Sequence, residues 1–178
     1  LGLDYLDLYL IHYPNREVPI AETIKALNEL KQDGLIREYG VSNFTVHHVQ
    51  DALEVTGQQI VNNQVEIHPS LYQEDLIQFC KFNNISVTAY SPLAQGEDLG
   101  LSEVIEVANK HKISRAQVIL AWILSKGIIC IPKGTNEEQM RDNMAAIDIQ
   151  LEESDINLLD HVNRKFRMIN PEYADFDY

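Results

Sequence analysis

The chain has 178 residues, of which 45% are hydrophobic, and this length allows one sizeable buried core. Its 27 acidic and 14 basic residues give a formal net charge of −13, which disfavours binding to nucleic acid and to anionic lipid. An anionic ligand would therefore need a local cluster of donors, because the field of the whole chain opposes it.

Short apolar runs rich in β-branched and aromatic residues alternate with amphipathic stretches along the chain. The predicted strands are Tyr5–Ile11, Ile36–Val41, Ile60–Glu66, Ser86–Tyr90 and Ile128–Ile131. The predicted helices are Ala21–Gln32, Val46–Val55, Glu74–Asn83, Ser102–Lys126, Glu137–Ala145 and Glu153–Asn163. No Pro/Gly/Ser-rich linker interrupts this alternation, so residues 1–178 are predicted to form a single domain.

Two capping boxes refine the helix boundaries. Ser114 and Gln117 have the spacing of such a box, which predicts that the long helical stretch is two helices broken near Ile113. Thr135 and Glu138 have the same spacing. They predict a helix N-terminus directly after the last strand.

The cysteines and several histidines are interpreted as structural. Cys80 and Cys130 lie in apolar sequence without metal-ligand spacing, so both are predicted to be buried, reduced thiols in a cytoplasmic protein. The six histidines also lack metal-ligand spacing, and no metal site is predicted. Four of them fall on predicted helices and are expected at the surface: His47, His48, His111 and His161.

Alternating strands and helices predict a parallel sheet, either an open doubly wound sheet or a closed barrel. A doubly wound sheet should carry a glycine-rich fingerprint after its first strand, but Leu10–Pro14 contains no glycine. Polar residues instead follow several strands, as barrels arrange them: His12, Ser42, Asn43, His68, Ser91 and Lys133. A full barrel needs eight strands and about 250 residues. The predicted fold is therefore α/β, an N-terminally truncated (β/α)8 TIM barrel with about the last five β/α units.

Five strand-end segments and a tail segment follow one another in a fixed order. They are Leu3–Pro14, Gly40–Phe44, Asn63–Pro69, Ala89–Leu93, Ile131–Thr135 and the tail segment Arg167–Pro171. In this order and spacing they resemble strands four to eight and the closing tail of the aldo-keto reductase family. The short connection from Leu93 to Ser102 is similar to that of the bacterial short-loop branch, which contains 2,5-diketo-gluconate reductase-like enzymes. The resemblance implies an NAD(P)H-dependent oxidoreductase that reduces small aldehydes, ketones and keto-sugars to alcohols by hydride transfer.

The resemblance assigns roles at the nicotinamide end of the cofactor. Tyr90 matches the residue that stacks on the nicotinamide ring, and a flat platform suits hydride transfer because one ring face must meet the carbonyl carbon. Ser42, Asn43 and Gln64 match residues that hydrogen-bond the carboxamide, which offers both donors and acceptors. Taken alone, Gln64 could equally tie strand ends together. His12 matches the active-site histidine, whose neutral imidazole would orient the substrate carbonyl.

A phosphate site is predicted at the end of the chain's last strand. Lys133 precedes a capped helix, and a lysine beside a helix N-terminus forms an anion site, to which Gly134 and Thr135 add donors. The resemblance places Asn143 near the adenine. The resemblance also assigns five further residues to cofactor binding: Ser91, Leu93, Gln95, Ile131 and Gln139.

Two departures from the family bear on the choice of cofactor. The family often has a serine at the position of Gly134, and an arginine that grips the 2′-phosphate about where Gln139 stands. Arg141 is offset by about half a helical turn and is expected to point elsewhere. The predicted cofactor is NADPH, with NADH possible.

The family's proton donor is a tyrosine supported by a lysine and an aspartate, and no residue of this chain matches them. Tyr5, Tyr9 and Tyr13 lie outside the family context, and His68 belongs to a segment that looks structural. The chain by itself is therefore expected to be inactive. Phe166–Tyr178 is expected to border the substrate pocket and set specificity.

Two other functions stay open at this point. One is a regulatory or scaffold relative that binds the cofactor without catalysis, which the upstream sequence would discriminate. The other is a different phosphate-binding barrel with coincidental motifs. The expected partner is a small carbonyl substrate, with no nucleic acid or membrane partner, and the parent protein is expected to be a monomer.

Overall fold

Strands and helices alternate along the chain in the computed structural model, which describes residues 2–57 and 60–178. The strands are β1 (Leu6–Ile11), β2 (Ile36–Ser42), β3 (Asn62–Glu66), β4 (Ser86–Tyr90) and β5 (Ile129–Cys130). The α-helices are α1 (Ile20–Gln32), α2 (Val46–Thr56), α3 (Glu74–Phe82), α4 (Ser102–His111), α5 (Arg115–Ser125), α6 (Glu137–Ala145) and α7 (Glu153–Asp160). Two 3-10 segments that were not predicted cover Ala94–Gly100 and Ala146–Asp148. The predicted elements are confirmed, with ends shifted by at most three residues.

The five strands form a parallel sheet in the order β1-β2-β3-β4-β5. In its register Leu6 lies opposite Ile36, Val41 opposite Asn63, and Ala89 opposite Cys130. Each strand therefore pairs with the next strand in sequence. A doubly wound sheet reverses its strand order, whereas a (β/α)8 barrel keeps it sequential. The sheet has the topology of five consecutive β/α units of a barrel.

The residues group into two compact units. The first contains Leu1–Val65, Glu74–Val87 and Asn170–Tyr178, and the second contains Glu66–Gln73 and Thr88–Ile169. In the first unit α1 packs beside α2, and the core includes Ile24, Leu27, Tyr39, Val41 and Val49. In the second unit α5 packs against α4 and α6, and the core includes Val104, Ile119, Leu120, Trp122 and Leu159.

The break between α4 and α5 lies where the capping box predicted it. The Ser114 side chain accepts a hydrogen bond from the Gln117 backbone N–H at 3.0 Å, and Gln117 Oε1 accepts from the Ser114 N–H at 3.1 Å. Lys112, with φ of 56°, ends α4 in the left-handed conformation. The chain therefore turns over residues 112–114 instead of continuing as one helix.

The surface assignment of the helix histidines is wrong for His48 and His111. His48 is 6% exposed, because it closes a capping box with Thr45 and its Nε2 lies 3.2 Å from Asp175. His111 is half-buried beside Asp155. In both cases a carboxylate distant in sequence covers the imidazole, and helical position alone gives no sign of that.

The two cysteines are both free thiols but differ in burial. Cys80 is fully buried, and burial raises the pKa of its thiol to about 11. Cys130 is only half-buried, so the prediction that it is buried is wrong. The exposed side chains of Ile129 and Ile131 on either side of it show that this strand is incompletely covered among the described residues. None of the described helices is long and apolar enough to cross a membrane.

Candidate cofactor and active site

Ser42 and Asn43 lie at the carboxyl end of β2 in the first unit, and both are almost completely buried. The Ser42 hydroxyl donates to the backbone oxygen of Gln64 at 2.8 Å, and the Asn43 N–H donates to the same oxygen at 3.0 Å. The Asn43 side-chain amide donates to the backbone oxygen of His12 at 2.9 Å. Asn43 therefore ties the ends of β1, β2 and β3 together. Its φ of 62° is a left-handed conformation that asparagine tolerates better than most residues.

Gln64 joins this arrangement through its backbone, and its side chain is half-buried. His12 directly follows β1 and is exposed at the strand end, the position predicted for it. Its ring lies 4.7 Å from the ring of Tyr13, and Tyr13 meets Tyr173 of the tail edge-on at 5.1 Å. The tail therefore approaches the strand end that carries His12.

The end of the tail is fixed by polar contacts within the first unit. Asp175 forms an ion pair with Arg16 and lies 3.2 Å from His48. The Tyr178 hydroxyl donates to Asp51 at 2.9 Å, and the Arg16 guanidinium lies 3.9 Å above the Tyr178 ring. Burial lowers the pKa of His48 despite its hydrogen bond with Asp175. Arg16, His48, Asp51 and Tyr178 line a cavity of about 250 Å³, which also has an apolar wall that includes Pro14, Val18 and Phe44.

A larger cavity, of about 800 Å³, lies in the second unit beyond the ends of β4 and β5. Ligand sites for small molecules and cofactors commonly have volumes of about 300–1,000 Å³. Eight of the ten predicted cofactor residues in this unit line the cavity: Ser91, Leu93, Gln95, Ile131, Lys133, Thr135, Gln139 and Asn143. The other two, Tyr90 and Gly134, are the neighbours of Ser91 and of Lys133 in sequence.

The loop after β4 forms one wall of this cavity with an unusual backbone. Ser91, Ala94 and Gln95 have φ of 46°, 48° and 53°. A non-glycine residue in this left-handed region costs about 1 kcal/mol or more. Two backbone hydrogen bonds of 2.8 Å, from Ala94 N to Ser91 O and from Gly96 N to Leu93 O, hold the turns. Such strain is often found in ligand-binding loops.

The N-terminus of α6 differs from the predicted capping box. Asn136, and not Thr135, is the cap, since its side chain accepts from the Gln139 N–H at 2.9 Å. Thr135 lies outside the helix and donates both its N–H and its hydroxyl to Gln139 Oε1, each at 2.9 Å. The two Thr135 donors that the sequence assigned to a phosphate are thus engaged by Gln139. The prediction failed because asparagine at the next position is an equally good cap.

The charged side chains among the described residues of this cavity lining are Lys133 and Asp142. Lys133 is exposed, and Asp142 accepts a hydrogen bond from the Ser114 hydroxyl at 2.6 Å. Arg141 points away from the cavity lining, as expected, and forms an ion pair with Glu137 at 2.6 Å. Charge attraction for an anionic ligand at this cavity therefore depends on Lys133.

Sequence reasoning missed two buried acids, Glu66 and Asp98, which flank His68 in the second unit. All three side chains are fully buried. The two-residue spacing of Glu66 and His68 gave one usable signal, because it places both side chains on the same side if the extended backbone continues beyond β3. Asp98 comes from a 3-10 segment 30 residues away, and no local pattern reveals that contact.

A sequentially ordered parallel sheet with polar groups at its strand ends is the architecture of a (β/α)-barrel protein. The model of the Aldo/keto reductase family matches residues 1–99 and 97–164. The chain belongs to this family.

Individual relatives agree with the family assignment. Glyoxal reductase of Bacillus subtilis (strain 168) is 42% identical over 168 residues, which cover 94% of this chain and 60% of that protein. The solved structure of MGS-M4, an aldo-keto reductase from a Medee basin deep-sea metagenome library, is 34% identical with a TM-score of 0.89, covering 99% of this chain and 67% of its own. The structure of a variant of Gox0644 in complex with NADPH is 36% identical with a TM-score of 0.80, covering 88% of this chain and 58% of that chain. The chain spans 60% to 63% of the length of three of its curated relatives.

Proposed function

We propose that residues 1–178 form part of one barrel domain of an NAD(P)H-dependent oxidoreductase that reduces small aldehydes or ketones to alcohols. The observation that carries the proposal is the cavity of about 800 Å³, which gathers eight residues that were assigned to cofactor binding separately along the sequence. The similarity to a glyoxal reductase supports a small carbonyl substrate. The similarity to a protein in complex with NADPH supports a nicotinamide cofactor.

The cavity residues fit a dinucleotide in chemical type. Lys133 offers a cation to a phosphate, while Leu93 and Ile131 offer apolar surface to a flat base. Gln95 and Asn143 add amide groups that both donate and accept hydrogen bonds. A bound nicotinamide supplies the hydride.

The strand ends of the first unit are proposed to hold the polar end of the nicotinamide. Ser42, Asn43 and Gln64 are proposed to meet its carboxamide, and Tyr90 at the end of β4 is proposed to support its ring. His12 is proposed to orient the substrate carbonyl through an N–H donor. The Asn43 hydrogen bond to the His12 backbone fixes the strand end from which that imidazole projects.

Residues 1–178 are proposed to bind cofactor without turnover on their own. The resemblance implies that a tyrosine, a lysine and an aspartate supply the proton, and we propose that none of the three lies within residues 1–178. Carbonyl reduction is therefore proposed for the natural protein that carries this sequence. That protein should oxidise NADPH with small aldehydes such as glyoxal, and absence of turnover over a broad panel of aldehydes and ketones contradicts the proposal.

NADPH is the proposed cofactor, with NADH as an alternative. Lys133 is accompanied by the carboxylate of Asp142, and Gln139 is neutral. The 2′-phosphate of NADPH should therefore add little to the binding free energy. We expect the two dissociation constants to differ by less than about tenfold, which corresponds to about 1.4 kcal/mol.

Isothermal titration calorimetry of the chain with NADPH and NADH tests cofactor binding. Lys133→Met should weaken NADPH binding by about tenfold, because a charge-assisted hydrogen bond to phosphate contributes about 1.5–3 kcal/mol and solvent reduces this at an exposed site. Lys25→Met is the matched control, since Lys25 is an exposed lysine on α1 and is not part of the cavity lining. Absence of binding in a folded sample, or equal effects of the two substitutions, contradicts the proposal.

A further inference from the structure

His68 lies directly between two carboxylates in the interior of the second unit. Its Nδ1 is 2.8 Å from Asp98 Oδ2, and its Nε2 is 2.9 Å from Glu66 Oε1. All three side chains have 0% exposure. Buried ionised groups are unfavourable unless they are paired and hydrogen-bonded, so the arrangement needs a defined protonation state.

The hydrogen-bond pattern identifies that state. Asp98 also accepts from the Ser70 N–H at 2.9 Å and from the Ser70 hydroxyl at 2.7 Å. Glu66 also accepts from the backbone N–H groups of Met168 at 2.6 Å and Ile169 at 2.9 Å. Apart from His68, a backbone N–H or the Ser70 hydroxyl thus faces each of the four carboxyl oxygens, which favours the ionised form of both acids. With both acids ionised, each ring nitrogen of His68 faces an acceptor and carries a proton.

Electrostatics agrees with this geometry. Burial by itself lowers the pKa of His68, but the hydrogen bonds to Asp98 and Glu66 outweigh it, and the pKa is raised above the ordinary value. Burial by itself raises the pKa of both acids, yet their hydrogen bonds to His68 and to their other donors bring it below the ordinary value. Charged groups beside this trio include Arg167 of the tail, which donates to Gln73 Oε1 at 3.2 Å, and Arg164, which lies 4.5 Å from the Phe166 ring and pairs with Glu97.

The cluster of Glu66, His68 and Asp98 joins three segments of chain. Glu66 and His68 belong to the end of β3 and the residues after it. Asp98 lies in the 3-10 segment Ala94–Gly100, which contributes Gln95, Gly96 and Leu99 to the lining of the large cavity. The third segment is the tail at 166–169, bound through the two backbone N–H groups on Glu66 and through the bond from Phe166 N to Ser70 O at 3.2 Å. The Phe166 ring also lies 5.3 Å from the His68 ring.

We propose that His68, as a buried imidazolium, is a positioning residue that fixes the cavity-lining segment Ala94–Gly100 relative to the tail segment 166–169 and thereby determines cofactor affinity. The inference rests on the proposed function for its cofactor arm. His68 itself belongs to neither the cavity lining nor the predicted cofactor set. Its effect on binding is therefore indirect, through Asp98 on one side and Glu66 on the other.

The charge state is measured on the unchanged protein. Nitrogen-15 spectra of the histidine rings at pH 7 should show His68 with two exchange-protected N–H protons and the shifts of an imidazolium. Exposed His161, whose Nδ1 hydrogen-bonds the backbone oxygen of Asn157, serves as the internal comparison. A neutral His68 ring at pH 7 overturns the inference, and this arm does not depend on whether any variant folds.

The coupling is measured with His68→Gln and the matched surface variant His161→Gln. Removing the cation leaves two buried carboxylates without their partner, so the Met168 and Ile169 amides should exchange with solvent roughly a hundredfold faster. NADPH affinity should fall by at least about fivefold, since the cavity wall is then held correctly in a smaller fraction of molecules. The double variant His68→Gln/Asp98→Asn removes one carboxylate along with the cation. It should recover part of both losses.

The outcomes separate this inference from the proposed function. Unchanged protein that does not bind NADPH contradicts the proposed function and the cofactor arm together. NADPH binding that is equal in His68→Gln, His161→Gln and unchanged protein overturns the inference alone. Amide exchange at Met168 and Ile169 that is unaffected by His68→Gln also overturns it.

Discussion

Gly40 is the residue at which a single added methyl group should most clearly damage both fold and site. A Cβ at this position would lie 2.5 Å from the backbone oxygen of Asn62 and 2.8 Å from Leu10 Cδ2. A carbon and a carbonyl oxygen normally approach no closer than about 3.3 Å, so β2 and β3 would have to separate by about 0.8 Å. Since Ser42 and Asn43 follow two and three residues later, the strain falls directly on the predicted carboxamide site.

The expected cost of Gly40→Ala is about 3 kcal/mol in the free energy of unfolding, from overpacking together with weakened strand pairing. Gly100→Ala is the matched control, because a Cβ there meets no atom within 4 Å and should change stability by less than about 1 kcal/mol. Urea unfolding followed by far-ultraviolet circular dichroism measures both. A Gly40→Ala protein within about 1 kcal/mol of the unchanged chain refutes the reasoning, since β2 must then be free to move.

Two further predictions concern the second unit. Ser114→Ala should lower the free energy of unfolding by about 1–2 kcal/mol in urea, because Ser114 caps α5 and also donates to Asp142; a change below about 0.5 kcal/mol contradicts the cap. The second is a pH dependence. Because the folded pKa of His68 is raised, folded protein keeps a proton that unfolded protein releases near pH 6.5, so the stabilisation is complete below that pH and is lost as pH rises through the folded pKa. For Glu66 and Asp98, whose folded pKa values are lowered, stabilisation is present above about pH 4.5 and is lost as pH falls through the folded values. In urea unfolding, the free energy of unfolding should decrease from pH 5.5 to pH 8.5, and this decrease should be smaller in His68→Gln. An identical decrease in both proteins contradicts the prediction.

The strand ends of the predicted site show how much of a site the local sequence pattern can predict. Ser42 and Asn43 could be placed at the end of β2, and Lys133 after β5, because apolar β-branched runs mark the strands and polar residues mark their ends. Parallel strands are expected to carry such polar ends on the same edge of a sheet. The residues around the large cavity were therefore predictable as a group, and the structure gathers eight of them.

The partners of those residues were not predictable from sequence. Thr135 donates to Gln139, and Asn136 is the N-cap residue of α6. Both adjacent residues are of types that can cap a helix, and only the path of the backbone decides between them. His48 is buried because the tail brings Asp175 to it from 127 residues away.

The sequence by itself determined the order of the β/α units and the positions of their polar ends, since both follow from side-chain periodicity within short stretches of chain. Only the tertiary structure decided that His68 stands between Glu66 and Asp98, and that the tail amides complete the cluster. The physical reason is that a buried charge is tolerated only where the fold gathers its partners. Asp98 lies 30 residues from His68 along the chain, and Met168 lies 102 residues from Glu66.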